Sequence, residues 1–422
     1  MVTQRCPVLV DFTVENFRSI REPVTLSLVE VSPRKVRQQG QKRKRAVPTD
    51  DQISPALDVP GWDMRLLRAA GIFGANASGK SNVIRALAHL IDALTLGRDD
   101  QPEGDPWQPF LLDSASPQSQ STFQLRVAGP WAEGIGIWTY RLSLGGDSIG
   151  EEVLLLDSPG AEQRELFARS PHPELTRFDA RLPNAVADAE RTLAPRVPLI
   201  RYVAKTMNIG AFSGFVTWLR KAYVEMDEGA VQAAYASRVL AQRMPGLTDK
   251  MLELLRRFDT GISRLSLSEE DNRRRVRVLV HHDGPNGETQ WDLEQESAGT
   301  QRLFSLSGPV LIGLASGGLT VIDEFGANLH PHITRRIVEM FQSPETNPKG
   351  AQLIFNSQDA TLLANQLLRR DQVWYTQKRP DGSTELYPLS DFKPRNDLAI
   401  DLAYLDGRFG AVPFLAIEGG HL

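Results

Sequence analysis

Residues 74–81 read Gly-Ala-Asn-Ala-Ser-Gly-Lys-Ser, which meets the pattern G-x-x-x-x-G-K-[ST] at every fixed position. No other segment limits the fold as strongly, because the pattern works only where a strand hands over to a helix. Gly74 and Gly79 let the backbone curl until successive N–H groups face an anion, and a helix starting near Lys80 adds its positive end. Lys80 then reaches the β- and γ-phosphates of a nucleotide as a point charge, and the Ser81 hydroxyl holds Mg²⁺. The flanks agree with this. Leu-Leu-Arg-Ala-Ala-Gly-Ile-Phe-Gly runs into the loop as a short buried strand, and residues 80–97 place Val83, Ile84, Leu87, Leu90, Ile91 and Leu94 on one helical side. The alternative is a glycine-rich turn without a ligand. The nucleotide-binding candidates are Gly74, Ala75, Asn76, Ala77, Ser78, Gly79, Lys80, Ser81 and Asn82, with ATP and Mg²⁺ as the expected ligands.

A second apolar run, Leu-Thr-Val-Ile at 319–322, ends in the adjacent carboxylates Asp323 and Glu324. After a phosphate-binding loop this fits a Walker B element: Asp323 holds Mg²⁺ directly or through water, and Glu324 polarises the attacking water. Alternation along a strand would let neighbouring acids take different jobs. Upstream, Glu296-Ser-Ala-Gly-Thr-Gln-Arg302 opens an apolar helical run, so Ser297 and the free N–H groups beside it can meet an anion. Residues 351–359, Ala-Gln-Leu-Ile-Phe-Asn-Ser-Gln-Asp, form a further buried strand that ends in polar residues.

The 422 residues allow two or three domains. A net charge of −4 argues against a protein that coats nucleic acid over its whole surface but leaves a local basic groove open. Arg34, Lys35, Arg37, Lys42, Arg43, Lys44 and Arg45 form such a cluster, read either as a solvated loop or as a nucleic-acid contact, with a nuclear-import signal as a weaker pattern match. The single cysteine, Cys6, excludes an intramolecular disulfide, and no Cys/His group has zinc spacing. No run of about 18 apolar residues suggests a membrane span, and the N-terminal apolar run is too short for a signal peptide. The expectation is a cytoplasmic protein without a membrane.

The chain reads as mixed α/β. Strands are expected at Val8–Asn16 and Val24–Leu28, and a meander over 121–155 with a hairpin turn at Gly145-Gly146-Asp147. Helical periodicity dominates 212–257, interrupted at Pro245-Gly246, and alternation returns over 262–292. This suggests an N-terminal half of a nucleotide-binding core at 1–158, a largely helical insertion with returning strands at 159–290, and a C-terminal half at 291–422.

The Ser-x-Gly-Thr segment at 297–300 resembles the ABC signature motif in the form seen in SMC-like and RecF-like ATPases. The resemblance implies a P-loop fold of the ABC/SMC-head type. It also implies that Ser297, Gly299 and Thr300 contact the γ-phosphate held by a second copy, so that hydrolysis needs a homodimer or higher homo-oligomer. Gly326-Ala-Asn-Leu-His-Pro331 resembles the D-loop at that seam. It makes Asn328 an interface candidate, and His330 either another or a satisfied buried histidine. Relatives carry a switch histidine where Gln358 stands; glutamine donates a hydrogen bond but does not titrate near neutral pH, so it either slows turnover or positions the water. Phe12-Thr-Val-Glu-Asn-Phe-Arg-Ser-Ile20 resembles the opening strand of these ATPases, which places Asn16 and Arg18 by the adenine or phosphates. Gln108 is a candidate Q-loop residue or a solvated loop glutamine.

More narrowly, the chain resembles the stand-alone ABC-like ATPases of bacterial abortive-infection and anti-phage systems. The pieces are Gly74–Asn82, Glu296–Thr300, Asn328–Pro331, Leu362-Leu363 to Arg370-Asp371-Gln372, and Asp406–Pro413. That resemblance implies a sensor or regulatory ATPase acting with a separate, nuclease-like effector. Asp391, Asp397 and Asp401 do not make the Asp-x-Asp pair of a Toprim nuclease, so the effector is expected on another chain. The competing readings are a RecF-like repair or replication ATPase, which makes nucleic acid a partner, and a scaffold that holds ATP with little turnover. A transporter subunit fits least.

Overall fold

The computed structural model describes residues 6–31, 55–95, 107–131, 134–146, 148–207, 209–226, 237, 244, 246–269, 276–395 and 398–413. The basic cluster at 34–45 lies outside these residues, as do Asp147, Pro245 and Asp397.

Three of the expected apolar runs become neighbours in one six-stranded sheet. Its order is Tyr223–Glu225, Leu319–Ile322, Gln352–Asn356, Ala69–Gly74, Val373–Lys378 and Thr384–Pro388. The first five strands run parallel and the last is antiparallel. Parallel strands are covered on both faces, so their sequences read as continuous apolar runs; Ala69–Gly74 and Leu319–Ile322 are buried at every position. Alternation sends Ala70, Ile72, Val321 and Ile354 to one face and Ala69, Phe73, Ile322 and Phe355 to the other.

On the first face lies the helix Lys80–Leu94, with its predicted apolar side buried. It is sandwiched against a seven-stranded antiparallel sheet ordered Arg177–Phe178, Arg164–Arg169, Ser148–Asp157, Gly134–Gly145, Ser121–Trp131, Val8–Glu15 and Val24–Ser27. Ile84, Leu87 and Leu90 share this core with Phe12, Phe123, Trp138 and Tyr140. The buried Gln352 amide joins the two sheets: Oε1 accepts from Leu9 N at 2.7 Å, and Nε2 donates to the carbonyls of Leu9 and Leu67, each at 3.0 Å.

The second face is covered by the helices Ala298–Ser316 and Pro331–Gln342, through Leu306, Val310, Ile337 and Phe341. The longer of these contains Pro309, which has no N–H for the carbonyl four residues earlier. The Ser237 hydroxyl takes that place, donating to Ser305 O at 2.6 Å. A three-stranded sheet, Ile262–Glu269, Val276–Gly284 and Gly287–Asp292, and the helix Leu247–Arg257 pack onto Leu303 and Phe304 of the same helix.

The sheets do not follow the expected divisions at 158 and 290. Arg164–Arg169 and Arg177–Phe178 extend the seven-stranded sheet, and Tyr223–Glu225 belongs to the parallel one. The helical periodicity over 212–257 is broken there, because three residues find a partner at the open edge of Leu319–Ile322. The described part of 159–290 is therefore mixed rather than largely helical. It holds the helices Asn184–Thr192, Leu199–Thr206, Ser213–Lys221 and Leu247–Arg257 beside strands from all three of these sheets. Among the described residues no helix is long and apolar enough to cross a membrane.

A buried cation joins segments more than three hundred residues apart. Arg369 is fully enclosed and pairs with Glu30 at 2.6 Å and with Asp371 at 2.9 Å, while Asp371 also accepts from Val31 N at 3.1 Å. Removing one partner of such a cluster strands the others without compensation. Arg369→Met is expected to lower unfolding free energy by about 3–5 kcal/mol, read from urea denaturation.

Candidate functional site

All three central strands that carry the expected motifs release their chains at the carboxyl edge of the parallel sheet, where open α/β folds collect ligands. Beyond Gly74 the loop turns back through Ala77 and Gly79, both at positive φ (61° and 105°). A Cβ at Gly79 would lie 2.0 Å from Thr384 Oγ1, so the loop can sit this close to its neighbour only with glycine there. Thr384 Oγ1 donates to Ser78 O at 3.1 Å and lies 2.7 Å from Ser19 Oγ, which accepts from Asn82 Nδ2 at 2.6 Å. Ser78 Oγ meets Thr376 Oγ1 at 2.6 Å. The phosphate loop is thus braced by two distant segments. Lys80 is buried and donates from Nζ to Gly74 O at 2.8 Å and Ala75 O at 2.9 Å. Burial pushes its pKa down, partly opposed by the carboxylates of Glu324 and Asp323.

The acid pair is split by backbone geometry. The strand stops at Ile322, leaving Asp323 buried, while Glu324 turns out to solvent at φ 51°. A left-handed turn, and not strand alternation, gives the two carboxylates their different surroundings. Asn356, at the end of the adjacent strand, holds this turn. Its Oδ1 accepts from Glu324 N at 2.6 Å, and its Nδ2 donates to Asp323 Oδ1 at 2.5 Å and to Ser81 Oγ at 3.3 Å. One side-chain amide therefore gathers the hydroxyl and the carboxylate that were separately predicted to hold Mg²⁺. Hydroxyl and carboxylate oxygens are the hard donors this cation takes, usually beside water and substrate phosphate.

These groups open onto a cleft of about 890 Å³, within the range of small-molecule sites. Asn76, Ala77 and Gly79–Asn82 form one wall; Glu324–Ala327 and Asn356–Asp359 form the other. Gln358 is exposed and faces the cleft together with Glu324.

Ser297, Gly299 and Thr300 do not line it. Ser297 caps the helix Ala298–Ser316, its exposed Oγ accepting from Thr300 N at 3.2 Å. A Cβ at Gly299 would stand 2.9 Å from Asn328 O, so this turn rests on the loop that follows the acid pair. Asn328 is exposed at φ 61°. His330 is exposed too, which removes the buried-histidine alternative; its Nδ1 caps the helix Pro331–Gln342 by accepting from His332 N at 3.2 Å.

Asn16 and Arg18 are not in the cleft. Asn16 is buried, with Nδ2 directed at the carbonyls of Ser116, Ser119 and Gln120 (2.8, 3.0 and 3.2 Å) and Oδ1 accepting from Phe110 N at 2.9 Å. Buried and committed in this way, the amide ties residues 110–120 to the end of the first strand and does not line the cleft. Arg18 donates from Nε to Gln108 Oε1 at 2.6 Å and from its backbone to Gln108 O at 2.7 Å. Burial lowers the Arg18 pKa, and the neighbouring Arg85 adds to this. Gln108 is thereby an anchor for Arg18 and does not line the cleft. Of the residues Asn16–Ser19, Ser19 is the one that reaches the phosphate loop, through Asn82 and Thr384.

A family model described as "AAA domain, putative AbiEii toxin, Type IV TA system" matches residues 69–364, well over half of the chain. The chain belongs to that family. No curated protein matches it. Among solved structures it is similar to an SMC head bound to the C-winged helix domain of ScpA, at 13% identity and TM-score 0.39, covering 94% of this chain and 99% of that one. It is also similar to the recombination mediator protein RecF with ATPrS (12%, 0.35, 91% and 99%). A third is CbiO1 from Clostridium perfringens, part of the ABC transporter complex cbiONQ (11%, 0.24, 47% and 69%).

For this AAA-domain ATPase, motif reading misses the residues that brace the site. Asn356 carried a visible signal, as the polar end of a buried strand whose neighbour bears the acids. Thr376 and Thr384 carried none, because their role comes only from strand pairing roughly 300 positions from the loop. Asn356→Ala is expected to reduce phosphate release by about 10–100-fold, the usual range for residues that orient metal ligands. Fluorescent-nucleotide titration without Mg²⁺ should show binding close to wild type.

Proposed function

We propose that this ATPase works as a two-copy assembly in which each chain completes the other's site, and that it serves as the ATP-driven sensor or regulator of an anti-phage system. The observation that carries the first part is the position of Ser297. Its exposed hydroxyl and helix N-terminus suit an anion, yet it stands outside the cleft of its own chain, and Gly299 beside it packs on the loop that follows Glu324. A second copy set face to face would bring Ser297 and Gly299 to the phosphates held by its mate.

Within the composite site the Gly74–Asn82 loop holds the phosphates and Lys80 neutralises charge on the β- and γ-groups. Mg²⁺ held by Ser81 and Asp323 would supply further charge stabilisation on the phosphate oxygens. Glu324 accepts a hydrogen bond from the attacking water, and Gln358, on the same wall, orients it as a donor. The partner's Ser297 hydroxyl and helix N-terminus meet the negative charge on the transferred group.

The defence role is supported by the family description, which concerns a toxin of a type IV TA system, and by the resemblance of the motifs to stand-alone abortive-infection ATPases. Under this reading the ATP-closed and open forms bind a separate, nuclease-like effector differently, and the protein is cytoplasmic. Glu324→Gln is expected to cut phosphate release by about 10²–10⁴-fold while ATP still binds. Light scattering should then find this variant dimeric with ATP and monomeric without it. Adding Ser297→Arg should abolish the dimer. A Glu324→Gln protein that stays monomeric at saturating ATP, or a wild type that releases no phosphate, would refute the cycle.

A further inference from the structure

We propose that Arg302 is a positioning residue that ties each chain's Ser297 turn to the Asp323 end of its own site, so that engagement of the partner's phosphate sets the metal-binding end at home. This rests on the reading that Ser297 serves the partner's nucleotide and Asp323 the chain's own.

Arg302 lies on the helix that Ser297 caps, one and a half turns on, and is buried. Its guanidinium points at the acid strand: Nη2 donates to Asp323 O at 3.2 Å, and Nη1 is 3.6 Å from Glu225 Oε1. Glu225 is also buried, and the carbonyl of the same residue accepts from Asp323 N at 2.9 Å. Asp323 is therefore held at both backbone groups, from one side by the edge strand and from the other by the helix of the Ser297 turn. Tyr223 completes the cluster, its hydroxyl donating to Glu225 Oε2 at 3.0 Å.

Stability alone does not explain this arrangement. Enclosing a guanidinium and a carboxylate together is expensive, and apolar residues of similar volume often serve a fold as well or better. Arg302 Nε is moreover buried with no hydrogen-bond partner among the described residues, and buried donors are seldom left so. An incompletely satisfied fork has room to exchange partners, which suits an element with two arrangements. The same two parts also pack closely at Gly299, where an added Cβ would stand 2.9 Å from Asn328 O in the loop that follows Glu324.

The test uses the full-length protein with ATP and MgCl₂ as probes. Arg302→Met should bind ATP without Mg²⁺ within about twofold of wild type. It should raise the Mg²⁺ concentration that gives half of the ATP-dependent melting-temperature shift by about tenfold. Two sites completed by one another should make the wild type's phosphate release sigmoidal in ATP, and in Arg302→Met this form should be lost, with the Hill coefficient falling to about 1. Arg302→Lys, which keeps the charge without the fork, should fall between. Wild-type values of both the Mg²⁺ midpoint and the Hill coefficient in Arg302→Met would overturn the proposal. If Arg302→Met does not fold, Glu225→Gln should move the Mg²⁺ midpoint in the same direction, and an unmoved midpoint would overturn it equally. Ser297→Ala separates the two readings: unchanged phosphate release there would defeat the shared-site reading, whatever Arg302→Met does to the Mg²⁺ midpoint.

Discussion

The cleft depends on one side-chain amide. Asn356 touches the Ser81 hydroxyl, the Asp323 carboxylate and the Glu324 N–H, which come from segments more than two hundred residues apart. Without it the phosphate loop and the acid strand would be neighbours in a sheet but not parts of one site. The amide suits the task because it donates and accepts at once and carries no charge to disturb the carboxylate beside it.

That contact is available because of strand order. Gln352–Asn356 lies between the strand of the phosphate loop and the strand of the acid pair, so its last residue reaches both. The antiparallel sheet behind the helix Lys80–Leu94 contributes differently. It keeps that helix dry along its apolar side, and Ser19, in the segment joining Val8–Glu15 to Val24–Ser27, steadies the end of the loop by accepting from Asn82. The Thr384–Pro388 strand completes the brace from the far side. A loop whose function is to present N–H groups gains from such support, since preorganised dipoles need not reorient when charge arrives.

The position of the Ser297 turn connects this site to assembly. The turn is exposed and away from its own cleft, but it is joined through Arg302 and Gly299 to the residues around Asp323 and Glu324. Under the proposed two-copy reading, that exposed turn is the face that would meet the partner's phosphate, and these contacts join it to the chain's own acids. The proposed sharing of sites and the proposed coupling are two readings of this single arrangement. They fit a sensor better than a constitutive hydrolase, because turnover would follow the encounter of two chains.

Whatever a few consecutive residues can encode was legible before folding. The phosphate loop, the helix after it, the apolar strand ending in Asp323-Glu324 and the capped helix at Ser297 are each written in neighbouring positions, since turn geometry, capping and periodicity are local. What needed the tertiary structure was everything that depends on which strands lie side by side. Tyr223–Glu225 is three residues in an otherwise helical-looking stretch, and only the open edge of Leu319–Ile322 makes it a strand. Asn16 sits in a segment that resembles a nucleotide contact, but its amide is consumed by three carbonyls about a hundred positions away. Sequence specified the chemical groups, while long-range pairing decided which of them remain free to meet a ligand, because a buried polar group binds whatever the fold brings within hydrogen-bonding reach.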